Sequence, residues 1–82
     1  MTREIVLYGR DGCHLCDDAR AALQRVQAQV PFALTEVDIE GDDALHARYL
    51  ERIPVVALDG EELFDYFVDE ARLEARLRGS VS

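Results

Sequence analysis

Apolar residues in this chain change their spacing from strand-like to helix-like and back along its length. Residues 5–8 form an unbroken, β-branched-rich run that is typical of a buried strand, and residues 15–30 then carry apolar side chains at helical spacing. The strands are predicted at residues 5–8, 32–39, 54–58 and 63–66, and the helices at 15–30, at 44–50 and after Asp69. The order βαβαββα indicates an α/β fold in which strands and helices pack as layers.

Turn and capping residues separate these segments. Pro31 ends the first helix, Gly41-Asp42-Asp43 offers a turn and an N-cap for the second, and Asp59-Gly60 is a two-residue hairpin signal. The first strand–helix–strand unit should be a right-handed crossover between parallel strands, whereas the closing hairpin must be antiparallel. We therefore expect a four-stranded mixed sheet with helices on both faces.

The composition narrows the class of protein. Residues 1–82, of which 49% are hydrophobic, are expected to form one small domain with a single core. The net charge of −8 disfavours nucleic acid as a partner, because phosphate binding needs basic patches. No apolar run approaches the roughly 18 residues of a membrane span, and the N-terminal run is too short for a signal peptide. We expect a cytoplasmic monomer that binds neither membranes nor nucleic acid.

The two cysteines, Cys13 and Cys16, stand where the first strand passes into the first helix. A Cys-x-x-Cys pair at such a junction is the position of a thioredoxin-like redox motif. Cys13, at the helix start, is the candidate nucleophile, because the unpaired N–H groups of a helix N-terminus stabilise a thiolate. Cys16, one turn further, is the candidate buried resolving thiol. The pattern predicts catalysis in which Cys13 attacks a substrate disulfide and Cys16 releases the product.

Charged neighbours act on this pair in opposite directions. His14, between the cysteines, would lower the pKa of Cys13 when it is protonated, and when neutral it could still shape access to the site. Asp11, Asp17 and Asp18 suit a helix N-terminus but disfavour a neighbouring thiolate. The sequence leaves open which effect is larger.

Three features of the chain occur together in a known family. Gly-Cys-His-Leu-Cys at residues 12–16 follows a short strand, Ile53-Pro54 precedes a later strand, and the element order is βαβαββα. In these features the chain resembles the glutaredoxins of the thioredoxin-like superfamily, and with Asp17 the motif is similar to that of a small bacterial glutaredoxin-like group. The resemblance implies a thioredoxin-like, glutaredoxin-type domain at residues 1–82 with thiol–disulfide oxidoreductase activity. It also implies that Pro54 is a cis-proline and that the backbone of Ile53 pairs with the substrate.

The resemblance further implies glutathione as a possible co-substrate, with no other cofactor. Glutaredoxins hold glutathione with a basic residue three positions before the first cysteine, where this chain has Arg10. Arg52, beside Ile53-Pro54, and His14 are further substrate-binding candidates. The family's Gly-Gly before the last helix is replaced, since residues 63–66 read Leu-Phe-Asp-Tyr and place bulky side chains where backbone approaches the γ-glutamyl group. The predicted substrates are protein or small-molecule disulfides, possible glutathione included.

Other classes of function compete with this interpretation. A metal site could combine Cys13, Cys16 and His46, but a closed zinc site needs four ligands. The second cysteine and the missing glycines disfavour an iron–sulfur cluster shared across a glutathione-bridged dimer, and we predict no metal site. A binding or chaperone-like module without redox turnover is the main alternative, since a fold does not define a function. The presence of both cysteines argues against that loss of turnover.

Overall fold

The computed structural model describes residues 3–79, so the ends of the predicted domain at 1–82 lie outside the described residues. Its elements are β1 Glu4–Gly9, α1 His14–Gln29, β2 Ala33–Asp38, a 3₁₀ turn Ile39–Gly41, α2 Asp43–Tyr49, β3 Val55–Leu58, β4 Glu61–Asp65 and α3 Glu70–Leu77. The predicted βαβαββα order is confirmed. In the part of the chain that the structure describes, no helix is long and apolar enough to cross a membrane.

The four strands form one mixed sheet in the order β2-β1-β3-β4. β1 and β2 are parallel, with Gly9 opposite Asp38 at their ends, as expected for a strand–helix–strand crossover. β3 runs antiparallel to both β1 and β4, and Tyr8 of β1 lies opposite Val55 of β3. The predicted mixture of parallel and antiparallel pairing is therefore confirmed, and the carboxyl end of β1 meets the start of β3 at one edge of the sheet.

Side chains at the predicted caps and turns set the element boundaries. Asp42 accepts hydrogen bonds from the backbone N–H groups of Ala44 and Leu45, and Asp69 caps α3 in the same way. Asp59 and Gly60 both have positive φ, 49° and 90°, which is the geometry of a tight turn between twisted strands. The helix caps and the backbone of this turn are local features, and the sequence predicts them correctly.

The larger of two apolar clusters lies between the sheet and the helices α1 and α3. It consists of ten buried residues: Ile5, Leu7, Ala19, Leu23, Val26, Phe32, Val56, Leu58, Leu73 and Leu77. The α1 positions in it recur at spacings of three and four residues, so one stripe of the helix faces the sheet. The smaller cluster, on the face covered by α2, contains Ile39, Tyr49 and Val55. Helices thus cover both faces, as the sequence predicts.

The bounds of every strand differ from the predicted ones by one or two residues. β2 ends at Asp38, because the next residues turn into the 3₁₀ segment that buries Ile39. β4 begins at Glu61 and ends at Asp65, so Tyr66 lies beyond the strand rather than inside it. A β-bulge shifts the register between β3 and β4: Val56 lies opposite Phe64, but Ala57 lies opposite Glu62.

Candidate redox site

Cys13 and Cys16 are joined by a disulfide at the N-terminus of α1, with their Cα atoms 5.1 Å apart. Cys13 is the N-cap residue, with extended backbone angles of φ −90° and ψ 111°. Its Sγ accepts a hydrogen bond of 3.1 Å from the backbone N–H of Cys16, and its carbonyl accepts from the N–H of Asp17. The sulfur of Cys13 therefore takes the place that a serine or aspartate oxygen takes at an ordinary helix start.

The two sulfur-bearing residues differ in exposure. Cys13 is half-buried, whereas Cys16 is only 1% exposed and packs beneath the first turn of α1. Of these two residues, only Cys13 is open to solvent. The roles of nucleophile and resolving thiol stay predictions, but the geometry separates the two positions.

The ends of the four strands form a row beside this disulfide. Gly9 of β1 lies opposite Asp38 of β2. In the antiparallel β1–β3 pair, Tyr8 lies opposite Val55, so the next residues, Gly9 and Pro54, lie at the same end of the sheet. On the far side, the backbone N–H of Tyr66 donates to the carbonyl of Pro54 at 2.9 Å. The peptide bond between Ile53 and Pro54 is cis, and Pro54 is fully buried.

Two tyrosines hold the loop that carries Pro54. The hydroxyl of Tyr66 donates to the carbonyl of Glu51 at 2.6 Å, in addition to its backbone bond to Pro54. The carbonyl of Tyr49, at the end of α2, accepts from the N–H of Ile53 at 3.0 Å. The loop is thus tied to α2 on one side and to the end of β4 on the other, which fixes its position at the sheet edge.

Arg52 lies in the same loop, but two carboxylates hold its guanidinium. Its Nη2 lies 2.7 Å from Glu62 and its Nε lies 3.4 Å from Asp65. Glu62 also accepts a 2.8 Å hydrogen bond from the hydroxyl of Tyr49. The bonds from Arg52 and Tyr49 hold the pKa of Glu62 below its usual value. The observed contacts of Arg52 are internal, and its predicted part in substrate binding remains a prediction.

Arg10, three residues before Cys13, and His14, directly after it, are both exposed. Arg10 lines a cavity of about 200 Å³ that reaches Cys16 and extends between α1 and the end of β2. Arg10 has no ion-pair partner among residues 3–79. Its predicted part in binding an anionic group stays a prediction.

Arg20 lines the same cavity and is a site residue that the sequence analysis did not single out. Its guanidinium lies 2.9 Å from Asp17 and 2.6 Å from Glu36, and these hydrogen bonds raise the pKa of Arg20. The positive charge of Arg20 partly offsets the negative charge of Asp17, the residue that follows Cys16. The three-residue spacing from Asp17 to Arg20 was visible in the sequence, whereas the contact with β2 was not.

The segment Leu63-Phe64-Asp65-Tyr66, which stands where glutaredoxins have a glycine pair, lies in β4 except for Tyr66, which follows the strand. Leu63 and Phe64 lie within β4 and pack against the larger cluster. The residue that meets Pro54 is Tyr66, whose φ of 69° lies in the left-handed region that favours glycine. Phe67, 72% exposed, follows it.

The candidate metal ligands do not come together. Among residues 3–79, no three or more histidine, cysteine, aspartate or glutamate side chains are grouped so as to hold a metal ion. Cys13, Cys16 and His46 therefore form no such group in the described part of the chain.

Comparison with known proteins places this site in a family. Residues 4–78 match the model of a family described as Glutaredoxin-like domain (DUF836). The chain belongs to this glutaredoxin-like family. An uncharacterized protein of Mycobacterium tuberculosis is 32% identical to this glutaredoxin-like chain over an alignment that covers 94% of this chain and 84% of the relative.

Solved structures agree with this assignment. A protein from X. campestris with a known X-ray structure is 41% identical in sequence to this chain. The two structures superpose with a TM-score of 0.76 over 92% of this chain and 96% of the other. A mutant thioredoxin from Halobacterium salinarum, 21% identical, covers 98% of this glutaredoxin-like chain and 75% of its own with a TM-score of 0.67. At that identity the likeness establishes the fold alone, which is thioredoxin-like.

Proposed function

We propose that this glutaredoxin-like protein is a dithiol–disulfide oxidoreductase that works through Cys13 and Cys16. The observation that carries the proposal is the disulfide at the N-terminus of α1, with one accessible cysteine and one buried cysteine. In such an arrangement the accessible thiol can react with a substrate, and the buried thiol is close enough to form a bond with the accessible one. Family membership and the thioredoxin-like fold support a redox role in general.

The reduced Cys13 would be activated by the helix it caps. The N–H of Cys16, which contacts the Cys13 sulfur at 3.1 Å in the oxidised protein, is placed to donate to a thiolate at the same position. The partial positive charge of the α1 N-terminus acts in the same direction. Arg20 offsets Asp17, so the nearest carboxylate on the helix opposes the thiolate less than its charge alone would suggest.

The reaction proceeds in two exchanges. The Cys13 thiolate attacks a substrate disulfide, forms a mixed disulfide and releases one substrate thiolate. The Cys16 thiolate then attacks the Cys13 sulfur, releases the second substrate thiolate and leaves the Cys13–Cys16 disulfide. The substrate gains two electrons and the protein loses two. A thiol reductant, either two glutathione molecules or a dithiol reductase, must return them.

Substrate contacts are proposed at the loop of Pro54. The N–H of Ile53 already donates to Tyr49, so the carbonyl of Ile53 is the group that we assign to pairing with the substrate backbone. Arg10 would meet a carboxylate of glutathione or of a peptide. Leu15, Tyr66 and Phe67 are exposed apolar side chains that suit a polypeptide disulfide. The reducing cytoplasm is the proposed compartment, with the protein acting as a monomer.

Trapping experiments test the proposed roles of the cysteines. Cys13→Ser should abolish disulfide reduction, whereas Cys16→Ser should still react once and accumulate a mixed disulfide on Cys13, because no resolving thiol is present. Mass spectrometry after incubation with glutathione disulfide or a protein disulfide measures both outcomes. Equal reactivity of the two variants, or a wild-type protein whose Cys13–Cys16 disulfide is never reduced by thiols, would contradict the proposal.

A second comparison tests glutathione as the reductant. Arg10→Ala should raise the glutathione concentration needed for half-maximal turnover several-fold, because a single charge-assisted contact is lost. Arg72→Ala is the matched control, since Arg72 is also exposed but lies on α3. An equal response of the two variants would remove Arg10 from the site and favour a dithiol reductase as the donor.

A further inference from the structure

Gly9, the last residue of β1, lies directly against the buried sulfur. A Cβ atom added at Gly9 would stand 2.8 Å from the Sγ of Cys16 and 3.3 Å from its Cβ. Real Cβ atoms do not approach a sulfur this closely, so a side chain at this position would force Cys16 to move. The backbone of Gly9 does not adopt the positive φ found at Gly12, Gly60 and Gly79. The absence of a side chain is therefore needed for space and not for backbone conformation.

Space is available on another side of Cys16. The cavity of about 200 Å³ between α1 and the end of β2 is lined by both Gly9 and Cys16. A free thiol at Cys16 can turn about its Cα–Cβ bond to another staggered position toward this space. The same sulfur cannot turn while it is bonded to Cys13, because the disulfide fixes its position.

We propose that Gly9 is a positioning residue that sets the reduction potential of the Cys13–Cys16 couple. In the oxidised protein, the Cys16 sulfur occupies the space that a side chain at residue 9 would fill. A side chain at this position destabilises the oxidised form more than the reduced form, since only the reduced sulfur can move away. The protein disulfide then becomes easier to reduce, and the potential becomes less negative. This inference rests on the proposed function insofar as the two cysteines interconvert.

The test compares Gly9→Ala with Gly41→Ala. Gly41 is the matched control because an added Cβ there meets nothing within 4 Å and its φ is not positive. Each protein is equilibrated in glutathione buffers of known ratio, and its free thiols are counted. Gly9→Ala should shift the equilibrium toward the dithiol about tenfold, which corresponds to about 30 mV for two electrons, whereas Gly41→Ala should leave it unchanged.

Thermal unfolding of the oxidised and reduced forms gives an independent readout. Gly9→Ala should lower the melting temperature of the oxidised form more than that of the reduced form. An unchanged potential together with equal loss of stability in both forms would overturn the proposal and leave Gly9 as an ordinary packing residue.

A double variant covers the case in which Gly9→Ala does not fold. Cys16→Ala removes the sulfur, so the variant that combines Gly9→Ala with Cys16→Ala should fold and recover part of the stability that Gly9→Ala loses. The recovery is only partial because the Cβ of residue 16 remains, at 3.3 Å from the added Cβ. Failure of the double variant to fold would also overturn the proposal. These equilibrium measurements need no turnover, so a protein that exchanges with glutathione but reduces no substrate would contradict the proposed function and leave the Gly9 result intact.

Discussion

The two faces of the sheet are built in different ways. The face under α1 and α3 buries ten apolar residues, and its contacts are between hydrocarbon side chains. The cluster under α2 has three buried members, and one of them, Tyr49, stacks on Tyr8 with ring centroids 4.7 Å apart. Around the Tyr49 ring stand Arg48 and Arg52, and its hydroxyl donates to Glu62.

This difference assigns different tasks to the two faces. Apolar burial is not directional and stabilises the fold in proportion to its area. Hydrogen bonds and ion pairs stabilise less but specify direction. The directional contacts lie beside the loop of Pro54, where we propose that the substrate binds. The comparison therefore predicts that contacts on the α1/α3 face supply most of the free energy of folding. It also predicts that contacts on the α2 face fix the position of the Pro54 loop.

The largest effect is expected from a cavity in the apolar face. Leu23 of α1 is fully buried in the larger cluster, and Leu23→Ala should lower the free energy of unfolding by about 2–5 kcal/mol. Leu50, beyond the end of α2, is 38% exposed, so Leu50→Ala is the matched control and should cost much less. Urea unfolding monitored by circular dichroism measures both. Similar losses for the two leucines would contradict the proposed division between the faces.

Much of this architecture follows from local patterns in the sequence. Asp42 and Asp69 cap helices within three residues of their own positions, so capping rules predict these boundaries. The positive φ of Asp59 is likewise a local turn feature, although its carboxylate accepts hydrogen bonds from Arg3 and Glu4, which lie far away in the sequence. The spacing of apolar residues in α1 likewise predicted the stripe that faces the sheet. The cysteines were placed at the start of the helix for the same reason, because the strand–helix junction is a local feature.

Contacts that depend on register were beyond the sequence patterns. The bulge opposite Val56 and Ala57 lets Leu63 and Phe64 both pack on the larger cluster, although strict alternation would turn one of them away. It also turns Glu62 toward Tyr49. The contact between Gly9 and Cys16 is similarly a matter of how closely β1 and α1 pack, which no spacing rule reports.

An intermediate effect is expected from the polar face. Glu62→Gln removes the charge that binds Arg52 and weakens the bond from Tyr49, and should cost about 1 kcal/mol at neutral pH, since the site is partly open to solvent. Glu61→Gln is the control, because Glu61 is a more exposed neighbour that pairs with Arg76. If Glu61→Gln destabilises the protein as much as Glu62→Gln does, the polar face has no special weight.

The same carboxylate gives the polar face a pH dependence. The pKa of Glu62 is lowered in the folded protein from its ordinary 4.5, first by the hydrogen bond from Arg52 and then by that from Tyr49. The unfolded chain therefore binds a proton more readily, so the contribution is complete above about pH 4.5 and is lost as the pH falls through the folded value. Stability measured from pH 7 to pH 3 should fall less steeply in Glu62→Gln than in the wild type. Parallel curves would show that Glu62 makes no such contribution.

The smallest effect is expected from the charged rim of the apolar face. Arg25 of α1 lies 2.8 Å from Glu70 of α3, and this contact lowers the pKa of Glu70, but both side chains are open to solvent. Exposed ion pairs of this kind contribute little because water and salt screen them. Arg25→Gln is the informative variant, since Glu70 also lies at the start of α3, where its charge interacts with the helix dipole. In buffer at physiological salt, Arg25→Gln should leave the urea midpoint unchanged within error. A loss as large as that of Glu62→Gln would mean that the α1/α3 face depends on directional contacts too, and the contrast between the two faces would fail.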